Sequence, residues 1–340
     1  MKRPWLAPFV PLYAAGIALR DKRFKNGRET IRRLRFPVIS IGNLSTGGSG
    51  KTPLAIALAK MLTGQGVHVD VLSRGYGRQS TEAARVRPDG TAEEFGDEPL
   101  LIAKQAGVPV YVAPQRYDAG LLAEAEIEAS GHQDSRRGKL SAAHILDDGF
   151  QHRQLARDID ILLLNHADWH DGILPAGNLR EPLSAIRRAS VVAIPANEAE
   201  LEGALKAWGW QGPIWRLRRQ MQVPQIDGPV AAFCGIARPD QFFAGLKAGG
   251  VSLTSEAVFP DHHRYTQRDI ERLLSAARTA GATAVITTEK DQVRLGSLAA
   301  SFSDLLPLKI ARLSIDIEDE LGALKWLTAR LAESPATTSL

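Results

Sequence analysis

Between a β-branched run and an Ala/Leu-rich run lies Ser45-Thr46-Gly47-Gly48-Ser49-Gly50-Lys51-Thr52. Glycines let a backbone curl so that successive N–H groups point at phosphate oxygens, and the N-terminus of a following helix adds partial positive charge. In such a loop Lys51 reaches the β- and γ-phosphates of ATP and the Thr52 hydroxyl ligates Mg²⁺. The usual pattern begins with Gly, and Ser45 stands there instead. Taken alone, that departure leaves an ordinary glycine-rich turn as the alternative. The strand-loop-helix context favours the phosphate loop.

Ala143-His144-Ile145-Leu146-Asp147-Asp148 is an apolar strand ending in two carboxylates. Mg²⁺ keeps several waters and needs one or two carboxylates, so Asp147 and Asp148 are candidate metal ligands beside such a loop. On an extended chain they would point to opposite faces, one toward the metal and one toward a partner. Three further clusters are Gly96-Asp97-Glu98-Pro99, Pro114-Gln115-Arg116-Tyr117 and Pro260-Asp261-His262-His263. Individually they read as a helix start, a turn and a surface histidine pair. Together they supply what phosphoryl transfer to a hydroxyl requires: a carboxylate base, a histidine to tune it and an arginine for anionic charge. A zinc site at Asp261-His262-His263 lacks the usual ligand spacing.

These groups need a scaffold that brings them to one edge. Strands are expected at 37–41, 67–72, 108–112, 143–146, 159–164 and 191–194, and a helix at 54–62. Their alternation implies an α/β fold of the phosphate-loop nucleotide-hydrolase type. Its mainly parallel sheet would have helices on both faces and its chemistry at the carboxyl ends of the strands. The stretch 208–229 holds Gly, Pro and long side chains with no clear helix, and a domain junction is placed there. Beyond it, strands at 230–234, 282–287 and 308–313 and helices at 239–248, 267–280 and 319–332 make a second, smaller α/β domain. The expected divisions are 1–30, a membrane-associated segment, then 31–215, the ATP-binding and catalytic domain, 216–332, the smaller domain, and 333–340, a disordered tail. The polar insert 131–139 reads as a mobile loop.

Composition is that of a folded soluble protein, with 44% hydrophobic and 24% charged residues in 340. One cysteine excludes an internal disulfide and favours a reducing compartment. Cys234 lies in the apolar run 230–234 and reads as a buried thiol rather than a nucleophile. The net charge of +4 is concentrated at one end. Residues 1–35 hold ten of the 42 basic side chains and two of the 38 acidic ones, so the remaining chain is net negative. Within that basic segment Trp5 to Leu19 is apolar, with Pro8 and Pro11 inside it. It falls short of the ~20 residues a spanning helix needs. Cationic flanks and Trp5, Phe9 and Tyr13 fit a segment lying in the headgroup region of an anionic membrane. The rivals are a signal peptide, a helix packed on its own domain and a nucleic-acid arm. No recognised nucleic-acid motif accompanies the charge, so no nucleic-acid partner is expected.

The combined motifs resemble the tetraacyldisaccharide 4′-kinase family, the lipid A 4′-kinases of Gram-negative bacteria. Those carrying the likeness are Gly42-Asn43-Leu44 and the loop, Ser73-Arg74-Gly75-Tyr76-Gly77-Arg78, Gly96-Asp97-Glu98-Pro99 and Asp147-Asp148-Gly149-Phe150-Gln151-His152. Pro175-Ala176-Gly177-Asn178-Leu179-Arg180-Glu181, Asp261-His262-His263 and Thr287-Thr288-Glu289-Lys290-Asp291 complete the set. The resemblance implies transfer of the ATP γ-phosphate to the 4′-hydroxyl of a tetraacyl disaccharide 1-phosphate, giving lipid IVA. It implies a peripheral protein at the cytoplasmic face of the inner membrane, an anionic glycolipid substrate and no obligate protein partner. Asp97 is then the expected base with His262 paired to it, rather than His263. Arg116, Asn178 and Glu181 fall on the substrate or phosphate side, and Thr52, Asp147 and Asp148 serve the metal. A nucleotide switch and a soluble small-molecule kinase are the rival functions. Thr288-Glu289-Lys290-Asp291 lacks the Asn that guanine reading requires.

Overall fold

The computed structural model of the chain describes residues 3–130, 141–302 and 306–333. The insert at 131–139 and the tail beyond Glu333 lie outside these residues. A 3-10 turn, Pro4–Phe9, leads into α1 (Val10–Lys25). Next come β1 (Val38–Asn43), α2 (Lys51–Thr63), β2 (His68–Ser73), β3 (Ala84–Arg85) and α3 (Ala92–Phe95). After them are α4 (Asp97–Gln105), β4 (Val110–Val112), α5 (Arg116–Ala129), β5 (Ala142–Asp147), β6 (Ile159–Leu163) and α6 (His166–Trp169). Then follow β7 (Val191–Pro195), α7 (Ala199–Ala207), β8 (Ile214–Gln222), β9 (Val230–Cys234) and α8 (Pro239–Ala248). The chain closes with β10 (Leu253–Val258), α9 (Gln267–Thr279), β11 (Ala284–Thr288), α10 (Glu289–Leu295), β12 (Leu308–Ile317) and α11 (Glu320–Ala332).

All twelve strands join one sheet in the order β10-β9-β11-β12-β8-β7-β6-β1-β5-β2-β4-β3. Pairing is parallel except for β3 with β4 and β12 with β8. All six residues of β1 are buried, as a strand covered on both faces must be. Ile39 and Ile41 pack with Leu54 and Leu58 of α2, while Val38 and Leu146 pack with Ala119 and Ala123 of α5. Helices therefore cover both faces of the sheet from β7 to β4, the first half, with β9 to β11 and α8 to α10 forming the second. α11, expected in the smaller domain, instead packs through Ala323, Leu327 and Leu331 into the core of the first half. β1 lies between β5 and β6, with Ile41 paired to Asp147 and Asn43 to Leu163. Both neighbours come later in the chain, so the crevice beyond the end of β1 is the switch point where such sheets bind ligands.

Three strands escaped the sequence reading: β3, only two residues long, β8 and β10. β8 runs through the stretch read as featureless, pairs parallel with β7 and continues antiparallel along β12. Its outward residues are Arg216, Arg218 and Arg219, so long polar side chains hid the alternation. β10 is an edge strand whose residues alternate between half-buried and exposed, and Thr, Ser and Glu dilute its apolar signal. Cys234 is fully buried, with its thiol pushed up to about 12 by burial.

α1 has no buried residue, and Trp5, Phe9, Leu12 and Leu19 are exposed. It is fastened to the segment before Glu181: Tyr13 Oη donates to the Arg180 carbonyl at 3.1 Å, and the Arg3 amide donates to the Ala176 carbonyl at 2.7 Å. Between α1 and that segment runs an apolar groove of about 690 Å³, lined by Phe9, Leu12, Ile17 and Leu174 and reaching Arg20 and Arg180. Among the described residues no helix is long and apolar enough to cross a membrane.

Candidate functional site

The phosphate-loop candidate leaves β1 at Asn43 and enters α2 at Lys51, three residues earlier than the sequence pattern suggested. Gly50 is the N-cap, at φ 95°, in the left-handed region that glycine enters without steric cost. A Cβ there would also meet Ile315 Cδ1 of β12 at 2.8 Å. No side chain caps α2, so its first-turn amides stay open to an anion. Ser45, where the usual pattern has glycine, lies in an extended bridge with Leu179, and its Oγ accepts from Asn43 Nδ2 at 3.1 Å. That bridge needs no positive φ, which is why serine serves. The Thr46 amide donates to the Asn178 carbonyl at 2.9 Å, closing the loop's outer side. Gly47 and Gly48 face outward, and Ser49 Oγ is buried without a hydrogen-bond partner among the described residues.

Lys51 Nζ donates to Asn43 Oδ1 at 3.1 Å and lies 3.5 Å from Asp148 Oδ1. Asp148 also meets Arg180, whose guanidinium spans Asp148 Oδ2 at 3.2 Å, Asn43 Oδ1 at 3.1 Å, Gln151 Oε1 at 3.2 Å and the Ser45 carbonyl at 3.1 Å. Burial works to raise the Asp148 pKa, but Lys51 and Arg180 hold it below its ordinary value. Asp147 is different. It is 2% exposed, and its Oδ1 accepts no hydrogen bond among the described residues. Burial first, then the charges of Glu98 and Asp148, push it up to about 7. The two aspartates do not sit on one extended strand as the sequence suggested. β5 ends at Asp147, and Asp148 turns into the left-handed region at φ 50°, which swings its carboxylate toward Lys51 and Arg180. An unpartnered buried carboxylate oxygen beside the loop, with the buried Thr52 at the start of α2, fits a divalent cation.

The second cluster joins the two halves. Asp97 opens α4 after Gly96, whose φ of 89° and 3.0 Å approach to Gly75 exclude any side chain at that turn. Asp97 Oδ1 accepts from the Glu98 amide at 3.0 Å, and Oδ2 lies 3.0 Å from His262 Nδ1. Oδ2 also accepts from Arg294 Nε at 2.8 Å and Nη2 at 2.6 Å. Burial opposes the charge on Asp97, yet the His262 hydrogen bond and the Arg294 and Lys290 charges hold its carboxyl well below the usual range. An ionised carboxylate only accepts, so His262 Nδ1 carries the hydrogen and Nε2 is left without a hydrogen bond among the described residues. The Asp97 hydrogen bond raises the His262 pKa. His262 sits at φ 60°, and the Tyr76 ring lies 5.4 Å from its ring. His263 points elsewhere: it stacks on Phe259 and meets Asp269 at 3.2 Å.

The remaining sequence candidates divide. Arg116 opens α5, is 8% exposed, and has a buried Nε without a partner among the described residues. Burial lowers it to about 10, against the pull of Asp148 and Asp147, so it stands near the carboxylate pair. Asn178 supports the loop by its carbonyl, while its Nδ2 donates to Asp171 at 2.8 Å. Glu181 is 1% exposed and apart from the others, held by Arg20 of α1 at 3.3 Å and Arg188 at 2.8 Å. The sequence reading missed the roles of Arg180, Lys290 and Arg294. Lys290 Nζ meets Glu98 Oε1 at 2.6 Å. Arg294 stands three residues after Asp291 on the same helix face, a spacing that pairs them.

Fold and site together define the class: a mainly parallel α/β protein with its reactive groups around the end of a central strand. Within that class the family is settled by likeness. The profile of the LpxK family, tetraacyldisaccharide-1-P 4′-kinase, matches residues 2–332. Tetraacyldisaccharide 4′-kinase of Koribacter versatilis is 40% identical over 93% of this chain and 96% of its own length. The protein of that name from Anaeromyxobacter sp. strain Fw109-5 is also 40% identical, over 93% and 90%. The crystal structure of LpxK from Aquifex aeolicus in complex with ATP superposes with a TM-score of 0.73 at 33% identity, covering 97% of this chain and 99% of that one. The chain belongs to the tetraacyldisaccharide 4′-kinase family.

Proposed function

We propose that this protein transfers the γ-phosphate of ATP to the 4′-hydroxyl of a tetraacyl disaccharide 1-phosphate, forming lipid IVA in lipid A synthesis. One observation carries the reading: the glycine-rich turn closes β1 onto an uncapped helix N-terminus, with Lys51 beside the carboxylates that end β5. In this reading the half containing it is of the phosphate-loop nucleotide-hydrolase type. The amides of residues 47–51 and the Lys51 ammonium cradle the β- and γ-phosphates, while the Thr46 amide stays on the Asn178 carbonyl. Thr52 and Asp147, with Asp148 beside them, would hold Mg²⁺, which neutralises charge developing on the phosphates when bound. Arg116 supplies an always-charged, poorly solvated donor for the transferred group or the substrate phosphate.

Sequence reasoning gives the base role to Asp97. In this proposal the role is divided: both Asp97 oxygens already accept hydrogen bonds, whereas His262 Nε2, with Asp261 Oδ2 at 3.9 Å, makes none among the described residues and would take the hydroxyl proton. Asp97 then orients the imidazole and stabilises its charged form. Glu181 and Asn178 act behind the contact surface, holding α1 and the loop.

The lipid part rests on the first 25 residues. Exposed Trp5, Phe9, Leu12 and Leu19 with Arg20, Lys22, Arg23 and Lys25 suit the headgroup layer of the cytoplasmic leaflet. The apolar groove behind α1 can accept an acyl chain. Incubation with γ-labelled ATP, Mg²⁺ and the tetraacyl disaccharide 1-phosphate tests the proposal: label should enter the lipid, and Lys51→Ala should abolish most of it. Hydrolysis of ATP with no labelled lipid would favour a nucleotide switch instead.

A further inference from the structure

α10 contributes to the site in a way the sequence motifs did not mark. Arg294 projects from it with only 5% of its side chain exposed and divides its five donor hydrogens between the halves. Nη1 donates to Asp291 Oδ1 at 3.2 Å and, in a short contact, to the Gly235 carbonyl. Asp291 is itself fully buried and fixed by the Gly235 amide at 3.0 Å and Tyr265 Oη at 2.9 Å. That end of the guanidinium is therefore built into the second half. The other end, Nε and Nη2, grips one oxygen of Asp97 across the cleft, the same oxygen that holds His262.

We propose that Arg294 is the positioning residue of the Asp97–His262 pair, fixing the shared oxygen so that His262 Nε2 faces the acceptor hydroxyl. The inference rests on the kinase reading above and adds a residue to it. In this proposal Arg294 acts through Asp97, with its Nη2 also 3.4 Å from His262 Nδ1, and not on the substrate or the nucleotide. Two rigidly spaced N–H groups converging on Oδ2 hold that oxygen in the guanidinium plane, a constraint that the rotating donors of a lysine ammonium do not impose. The charged groups facing Asp97 are His262, Arg294 and Lys290, with Glu98 beside it on α4 and Asp261 and Asp291 behind Arg294. Removing the Arg294 cation raises the proton affinity of Asp97 and of His262 alike. The acid limb of the rate profile then moves the same way whichever of the two gives up its proton.

The test compares full-length wild type, Arg294→Lys and Arg294→Met for kcat against pH and KM for ATP on the tetraacyl disaccharide 1-phosphate. Arg294→Met should move the acid limb of kcat up by about one pH unit. Arg294→Lys should leave the limb near its wild-type position while lowering kcat about tenfold. KM for ATP should stay within a factor of about two in both. A uniform fall across pH with no shift in Arg294→Met, or wild-type kcat in Arg294→Lys, overturns the proposal. If Arg294→Met does not fold, the Arg294→Lys kcat decides alone. Wild-type enzyme without lipid phosphorylation would instead refute the kinase reading, a separate result visible in the control.

Discussion

Replacing Asp97 by Asn removes one charge and keeps the shape, so its cost can be worked from the contacts. Asp97 Oδ2 takes two bonds from Arg294, at 2.8 and 2.6 Å, and one from His262 at 3.0 Å. Both partners of the Arg294 pair are nearly closed to solvent, at 5% and 7% side-chain exposure, so water does little to replace what is lost. A hydrogen bond to a charged group contributes about 1.5–3 kcal/mol and a neutral one about half that. Three such losses amount to roughly 3 kcal/mol, in line with the cost of breaking a buried pair by neutralising one member. At about 2 °C per kcal/mol for a chain of this length, Tm should fall by roughly 6 °C. Catalysis should suffer separately. A general-base unit contributes about 10²–10⁴-fold, so Asp97→Asn and His262→Gln should each lower kcat by about 10³. Because they act as one unit, the double variant should also lose about 10³ rather than about 10⁶, a coupling of roughly 4 kcal/mol. Thermal unfolding and single-turnover transfer at saturating ATP measure the two effects. A multiplicative double variant, or an Asp97→Asn protein melting within a degree of wild type, would refute the reasoning.

Arg180→Met leaves Asn43, Asp148 and the Ser45 carbonyl without their shared donor. KM for ATP should rise about tenfold, with Tm lowered by a few degrees, as followed by steady-state assay and unfolding. His144 lies fully buried between Asp70, 2.8 Å from Nδ1, and Glu124. Although burial opposes its charge, these carboxylates raise it to about 9, above its unfolded value. Its stabilisation is therefore complete below about pH 6.5 and lost as pH rises through about 9; Tm should fall across that window, and less so in His144→Gln. Leu12→Asp with Phe9→Asp should reduce co-sedimentation with vesicles containing anionic lipid by about tenfold or more. Unchanged sedimentation would remove the membrane role from α1.

The sequence carried most of the first half because a buried parallel sheet writes short apolar runs bounded by polar and turn-forming residues. β1, β2, β5, β6 and β7 are all of this kind. The phosphate-loop candidate was legible because its residue types follow from backbone geometry alone. β8 and β10 were not, since half-exposed strands dilute the apolar signal that periodicity reads. Motif and resemblance singled out Lys51, the Asp147-Asp148 pair and His262, and the fold places Lys51 beside Asp148 and His262 against Asp97. Arg180 and Arg294 were hidden for a different reason. Each acts by joining groups more than a hundred residues apart; spacing pairs Arg294 with Asp291, but nothing near either arginine points to Asp97 or Asp148. The split between Asp147 and Asp148 likewise depends on a left-handed turn at a non-glycine residue, which local preference disfavours.

The two halves meet along β8 and β12, six residue pairs from Arg312 with Gln222 to Ile317 with Leu217. A loose tether would let the halves tumble freely, whereas a laddered ribbon resists everything except a change of twist. An opening of the cleft would have to be absorbed by a change of twist in this ribbon, because Ile315 and Ile317 of β12 and Leu327 of α11 are packed into the core beneath α2. A change of twist there would move His262 and Arg294 relative to Asp97 while leaving the β8–β12 register intact.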